Sequence, residues 1–296
     1  MTDGLIIKAL SGFYYVQTAN GILECKARGR FRLDGTSPLV GDRVRCSTDA
    51  QGRGRIDEVA ERKNWFVRPT VANIDALVFV AANSNPVTDP FLIDRVSVIA
   101  EDAGCELIIC LNKTDLDEGE ELYRIFNGAG FAVIRTSAET GEGIEELRGA
   151  LHGKISAFTG NSGVGKSSLL NRLLPGLDIP TAEVSEKLGR GKHTTRHTEL
   201  FRLGEDSYVA DTPGFASFEI EMMKRIPKEE LAYCFRDLSP YIGRCRFQDC
   251  THRREPGCAV TGAVANGEIS QSRYASYLRL YEMSAQHKDW EYRENK

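Results

Sequence analysis

Residues 155–168 read ISAFTGNSGVGKSS: a short apolar run, a glycine-rich turn and the opening of a helix. Within it, Gly160-Asn161-Ser162-Gly163-Val164-Gly165-Lys166-Ser167 fits the phosphate-cradling pattern G-x-x-x-x-G-K-S, with a strand expected before it and a helix after it. The glycines let backbone N–H groups face phosphate oxygens, and the N-terminus of the following helix adds a favourable dipole. Lys166 is expected to reach the β- and γ-phosphates. Ser167 is expected to hold Mg²⁺, and Ser168 extends the nucleotide-binding stretch.

Working outward, the chain on either side alternates strands and helices. Ile74 to Ala82 is an unbroken apolar run, as expected of a strand buried on both faces. A helical pattern over Asp89 to Ala103, a strand over Glu106 to Leu111, a helix over Glu118 to Ala129, an extended run over Phe131 to Thr136 and a helix over Gly143 to Leu151 follow. Lys166 to Leu174 reads as the helix after the loop, and Thr198 to Leu203 with Ser207 to Ala210 as a hairpin around Gly204. Such alternation predicts a mostly parallel sheet covered on both sides. Pro175 to His197 carries no clear period, and a loop of that length inside a domain is expected to be functional or disordered.

Three further motifs fall at the ends of these strands. Asn112-Lys113-Thr114-Asp115 follows a buried strand, and the carboxylate of Asp115 has two oxygens for the two donors on one edge of guanine, a fit adenine lacks. Thr136-Ser137-Ala138 is placed to offer a backbone N–H, at Ser137 or Ala138, to the guanine oxygen. Asp211-Thr212-Pro213-Gly214 has the D-x-x-G form, in which Asp211 serves Mg²⁺ and the Gly214 N–H senses the γ-phosphate. Ligands of open α/β sheets bind at the carboxyl ends of the strands, where all of these sit. Together they specify GTP. Their order is permuted, because N-K-x-D and S-A precede the phosphate loop instead of following D-x-x-G. A consequence is that D-x-x-G runs directly into the C-terminal module, so that γ-phosphate sensing is in a position to move it.

The two ends of the chain read differently. Residues 1–68 show short strands with turn signals at Ser11-Gly12, Asp34-Gly35 and Gln51-Gly52, which suggests a small barrel of the OB type. Residues 69–220 form the GTPase domain, and residues 221–296 are expected to be helical around Cys245-x₄-Cys250-x-His252-x₅-Cys258, ending in a helix from Gln271 to Arg293. Three thiolates and one imidazole are the ligand set of a closed, structural, tetrahedral zinc site, against the plainer reading of unpaired cysteines. Zinc would organise a loop with too few apolar residues to fold alone.

Composition constrains the rest. No apolar run approaches the roughly 20 residues that span a bilayer, and Met1 to Val16 lacks the order of a signal peptide, so a cytoplasmic location is expected. There, the eight cysteines are better explained by metal binding or burial than by disulfides, with burial expected for Cys105 and Cys110. A net charge of −4 argues against nonspecific nucleic-acid affinity. The basic residues are nevertheless clumped: Lys26, Arg28, Arg30 and Arg32; Lys187, Arg190, Lys192 and Arg196; Arg244, Arg246, Arg253 and Arg254. Each clump reads as either a directed footprint for RNA phosphates or solvated surface.

With its OB-like start, permuted motifs, Gly191-Lys192-His193-Thr194-Thr195 and Cys/His cluster, nearly the whole chain resembles the ribosome-small-subunit-dependent GTPases of the RsgA (YjeQ) family. The resemblance implies bacterial origin, binding of the small (30S) ribosomal subunit and its 16S rRNA, a role late in subunit maturation, and stimulation of GTP hydrolysis by the subunit. A monomer is expected. Phe215 stands where Ras-like enzymes place a water-orienting glutamine, and a phenyl ring cannot hydrogen-bond water. His193 is the candidate to replace it, a choice the resemblance favours, the alternative being that His193 faces RNA. Either Thr194 or Thr195 would complete the Mg²⁺ shell. Two other functions stay open at this level: a binding module whose GTP locks its shape without turnover, and a GTPase acting on a protein partner.

Overall fold

A computed structural model describes residues 1–29, 31, 37–67, 70–177, 198–211 and 226–286. The N-terminal strands are β1 (Thr2–Leu10), β2 (Phe13–Thr18), β3 (Gly21–Ala27), β4 (Arg43–Thr48) and β5 (Gly54–Val59). Strand β1 pairs with both β2 and β4, and β5 lies between β3 and β4, so the five close into a barrel without a free edge. Alternation along these strands sends Ile6, Val16, Cys25, Val44, Cys46 and Ile56 into the buried interior. This is the OB-like barrel expected for the start of the chain.

The second body is a sheet built from β8 (Ala76–Ala82), β9 (Glu106–Asn112), β10 (Ala132–Arg135), β11 (Ile155–Thr159), β12 (Glu199–Gly204) and β13 (Ser207–Asp211). Its order is β10-β9-β8-β11-β13-β12, parallel throughout except for the β12–β13 hairpin. All seven residues of β8 are buried, because helices cover both faces, and this is why its sequence is continuously apolar. Leu77, Phe79 and Ala81 enter one core; Ala76, Val78, Val80 and Ala82 enter the other. The covering helices are α1 (Pro90–Asp102), α2 (Glu120–Gly128), α3 (Ile144–Ala150) and α4 (Lys166–Leu173). Helix α1 starts where Asp89 Oδ1 accepts from Phe91 N at 2.9 Å and Pro90 occupies the first turn.

Barrel and sheet are one hydrogen-bonded surface. Strand β12 pairs antiparallel with β1 at Lys8 and Glu199, whose side chains form an ion pair at 2.7 Å. A hairpin of β6 (Trp65–Val67) and β7 (Thr70–Ala72), which the sequence pattern does not announce, lies between the two bodies. Beside it the buried amide of Asn64 donates to the Ile74 carbonyl at 2.9 Å and accepts from Ile74 N at 2.9 Å, pinning the entry into β8.

The C-terminal part holds a short 3₁₀ turn (Ser239–Tyr241), α5 (Ala259–Ala265) and α6 (Gln271–Ala285). The expected terminal helix begins at Gln271 as read, and residues beyond 286 lie outside the described ones. Helix α6 packs on α1. At their contact Arg273, fully buried, pairs with Asp94 of α1 at 2.6 Å and with Asp237 at 2.6 Å. Its guanidinium also lies 4.9 Å from the Phe235 ring centroid and 5.2 Å from that of Phe131. No helix among the described residues is long and apolar enough to cross a membrane.

Candidate nucleotide site and metal centre

The phosphate loop joins β11 to α4, as its sequence requires. Gly160 has φ +131°, and a Cβ there would come within 2.2 Å of the Val80 carbonyl oxygen. Gly165 has φ +93°, and a Cβ there would come within 2.3 Å of Asn112 Nδ2. Both positions therefore exclude other residues on conformation and on space. Lys166 folds back over the loop, donating from Nζ to the carbonyls of Gly160 at 2.5 Å and Asn161 at 2.6 Å. Ser167 and Ser168 follow on the first turn of α4, half-buried.

Three other strand ends bring their motifs to the same edge. Asn112 closes β9 and is buried; its Nδ2 donates to the Val164 carbonyl at 2.8 Å, and its Oδ1 accepts from Ala138 N at 3.1 Å. One amide thereby ties the phosphate loop to the base loop across 52 residues of chain. Lys113 adopts a left-handed backbone, φ 67°, and its ammonium reaches the Asn85 carbonyl in the loop after β8. Thr114 donates from N and Oγ1 to the Thr136 carbonyl, at 3.2 and 2.9 Å. Asp115 is exposed, and the buried Ser137 donates from Oγ to its Oδ1 at 2.5 Å. Asp211 ends β13, one residue beyond the pairing of Ala157 with Ala210, so its backbone lies beside β11. The side chain of Asp211, and His193, Thr194, Thr195, Gly214 and Phe215, lie outside the described residues.

The arrangement is a rim of anion-facing backbone beside an exposed carboxylate, at the carboxyl ends of parallel strands. It can take a phosphate chain at one end and a guanine edge at the other. A cleft of about 1130 Å³ between the barrel and the amino ends of the strands, lined by residues such as Arg43, Arg45, Asp75, His152 and Arg202, lies at the opposite edge of the sheet and plays no part in this site.

Cys245, Cys250, His252 and Cys258 converge so that their ligand atoms all lie within 4.8 Å of one another. His252 Nδ1 is 3.4 Å from Cys245 Sγ and 3.5 Å from Cys258 Sγ, and these two sulfurs are 3.9 Å apart. Tetrahedral metal–sulfur bonds of about 2.3 Å require sulfurs roughly 3.8 Å apart, and the Cys245–Cys258 pair at 3.9 Å meets that spacing, so the donor set is one such an ion could take. His252 reaches its place through a left-handed backbone, φ 56°.

The shell around the ligands was not legible from spacing. Glu255 accepts from Thr251 N at 2.8 Å, Arg253 N at 2.9 Å and Arg254 N at 3.0 Å, closing the loop around itself. Burial opposes its charge, but the Thr251 hydroxyl and these backbone donors outweigh burial and hold its carboxyl well below the usual range. From α6, Tyr277 donates to the Thr251 carbonyl at 2.7 Å and Tyr274 to the His252 carbonyl at 3.0 Å. Their only sequence signal is a pair of tyrosines one helical turn apart, which ordinarily marks packing alone.

Residues 59–221 match the family model described as RsgA GTPase, and residues 3–56 match the model for the RsgA N-terminal domain. A small ribosomal subunit biogenesis GTPase RsgA from Caldanaerobacter subterraneus subsp. tengcongensis is 47% identical over 281 residues, covering 94% of each chain. One of the same name from Alkaliphilus metalliredigens is 44% identical over 285 residues, covering 95% of this chain and 97% of its own. Among solved structures, YjeQ from Thermotoga maritima superposes with a TM-score of 0.85 at 38% identity, covering 97% of this chain and 99% of that one. YloQ, described as a circularly permuted GTPase, gives 0.81 at 33% identity over 97% and 96%.

Proposed function

This chain belongs to the RsgA GTPase family, and from that premise we propose that it binds the small (30S) ribosomal subunit, assists its late maturation and hydrolyses GTP to GDP and phosphate with stimulation by the subunit. The observation that carries this reading is the convergence of the phosphate loop, Asn112–Asp115 and Ser137–Ala138 at one sheet edge, held together by Asn112. The relatives' name, small ribosomal subunit biogenesis GTPase, supports the partner.

The roles follow from chemistry. Asp115, with one oxygen already held by Ser137, accepts from the guanine donors, and the Ala138 N–H, which donates to Asn112 Oδ1 in this structure, turns to the guanine oxygen. Asn112 holds the phosphate and base loops in register. Backbone N–H groups from Gly160 to Ser167 face the phosphates, and Lys166 leaves its loop carbonyls to neutralise the β- and γ-phosphate charge. Ser167 and Asp211, with Thr194 or Thr195, would hold Mg²⁺, which neutralises charge developing on the phosphate oxygens. His193 orients the attacking water in place of the absent glutamine. Cys245, Cys250, His252 and Cys258 hold one structural zinc ion per chain, which fixes the loop carrying Arg244, Arg246, Arg253 and Arg254 where those cations meet 16S rRNA phosphates.

The domain limits that follow are 1–68, 69–220 and 221–296, with the barrel and the zinc module as the RNA-gripping ends of a cytoplasmic monomer. Cosedimentation with purified small subunits tests the reading. Retention in the presence of a nonhydrolysable GTP analogue, lost after RNase treatment of the subunits, is expected. Absence from the subunit fraction in every nucleotide state would reject the proposal.

A further inference from the structure

Asn112 is not the sole bond between the phosphate loop and the base loop. Arg172 sits in the last turn of α4, the helix that the phosphate loop opens. Its Nε donates to the Ala138 carbonyl at 2.9 Å and its Nη2 donates to the Glu139 carbonyl at 2.7 Å. A planar guanidinium takes two successive carbonyls in one fork, which the single point charge of a lysine cannot. The loop it grips has internal bonds of its own: Thr140 N donates to Ser137 Oγ at 3.1 Å, and Gly141 N donates to the Ser137 carbonyl at 2.8 Å. Those bonds fix the shape of the turn but not its distance from the phosphate loop. Asn112 and Arg172 together fix that distance, Asn112 at the loop itself and Arg172 from the far end of the helix that the loop opens.

We propose that Arg172 is a positioning residue for guanine recognition. It acts through Ala138, whose N–H donates to Asn112 Oδ1 at 3.1 Å in this structure, holding that residue's backbone where the N–H can turn from Asn112 to the guanine oxygen once the phosphates are seated on the same helix. Base and phosphate subsites thus engage one nucleotide as a unit. This rests on the nucleotide site assigned above. Two consequences follow, and the second distinguishes it from a purely structural tie. Because the γ-phosphate is not involved, GTP and GDP lose affinity alike when Arg172 is removed. Because the effect passes through the guanine oxygen, a nucleotide whose oxygen is replaced by a poorer acceptor loses less.

The test measures equilibrium affinities of GDP and 6-thio-GDP for the wild type, Arg172→Ala and Arg172→Lys, with melting curves alongside. Arg172→Ala should weaken GDP about fivefold, the worth of roughly one net hydrogen bond, and weaken 6-thio-GDP by clearly less. KM for GTP should rise with the GDP dissociation constant while kcat changes little, and Arg172→Lys should recover part of the loss. An equal loss for both nucleotides would make Arg172 merely structural, and unchanged GDP affinity would remove its role; either overturns the proposal. Should the alanine variant melt below the assay temperature, Arg172→Gln carries the same comparison. A wild type that fails to bind GDP would instead reject the nucleotide site itself.

Discussion

Asp115 shows how much a single side chain depends on one that is distant in sequence. The N-K-x-D spacing identifies the carboxylate, but the hydroxyl that orients it belongs to Ser137, 22 residues away. That hydroxyl becomes visible only when β9 and β10 lie side by side. Asp115→Asn should shift preference from guanine to xanthine nucleotides, because xanthine offers an acceptor where guanine has a donor. Unchanged GTP affinity in a competition binding assay would take Asp115 out of the site. Lys166→Ala and Ser167→Ala should nearly abolish hydrolysis while leaving the melting temperature close to that of the wild type, since the proposed roles are phosphate charge for Lys166 and Mg²⁺ for Ser167, and both side chains are only half-buried. Phosphate release at the wild-type rate in both variants would contradict the assignment. The glycines of the phosphate loop were legible as a motif. The reason Gly165 cannot change, the approach of Asn112, was not, because it joins two motifs that are 53 residues apart in the chain numbering 112 and 165.

The strands, helices and metal loop differ in how plainly the sequence shows them, for physical reasons. Continuous apolarity marks β8 because it is buried on both faces, and the turn at Gly204 between two extended runs marks the hairpin of β12 and β13. The β6–β7 hairpin leaves no pattern in the sequence because three-residue strands are too short to show a period. The cysteines and histidine of the metal loop announced themselves by type, whereas Glu255, Tyr274 and Tyr277, which hold the loop's backbone, did not. Replacing Cys245, Cys250 or Cys258 by Ser should release stoichiometric zinc and unfold chiefly the C-terminal module; elemental analysis finding no metal in the freshly purified wild type would remove the centre. At the contact of α1 and α6, Arg273 pairs with the buried Asp94 and the half-buried Asp237, and Arg273→Met should cost about 3–5 kcal/mol by leaving the buried carboxylate uncompensated. Urea titration showing a loss of well under that would mean the carboxylates find other partners. Burial pushes the Asp94 carboxyl up to about 6, from an ordinary 3.8, against the pull of Arg273. Between pH 3.8 and about 6 the folded state therefore binds more protons than the unfolded one, and this group's contribution to stability falls as pH rises through that window. The wild type should lose stability relative to Asp94→Asn over that window, and a difference independent of pH would contradict the burial argument.

At the scale of the whole molecule, the permuted order still brings the phosphate loop, Asn112–Asp115 and Ser137–Ala138 to one edge of the sheet. The D-x-x-G segment leads toward a C-terminal module that Arg273 joins to α1, so any γ-phosphate signal that moves the module has to carry α1 with it or break that buried group. On the other side, β12 joins the GTPase sheet to the barrel through Lys8 and Glu199. Barrel, sheet and module were each legible from their local texture; these two joints were not, since they depend on single residues far apart in the chain. His193 belongs at this scale too, because its role sets whether the partner or the enzyme supplies the water-orienting group. His193→Ala should lower turnover without small subunits while sparing GTP affinity; a normal intrinsic rate with loss of stimulation alone would place His193 on RNA instead. The most direct test of the account as a whole is multiple-turnover phosphate release from GTP by the wild-type protein, with and without purified small ribosomal subunits. The account predicts slow intrinsic turnover, on the order of 10⁻⁴ s⁻¹ as for unassisted G proteins, that rises markedly on adding small subunits. Turnover that is the same with and without them would contradict it.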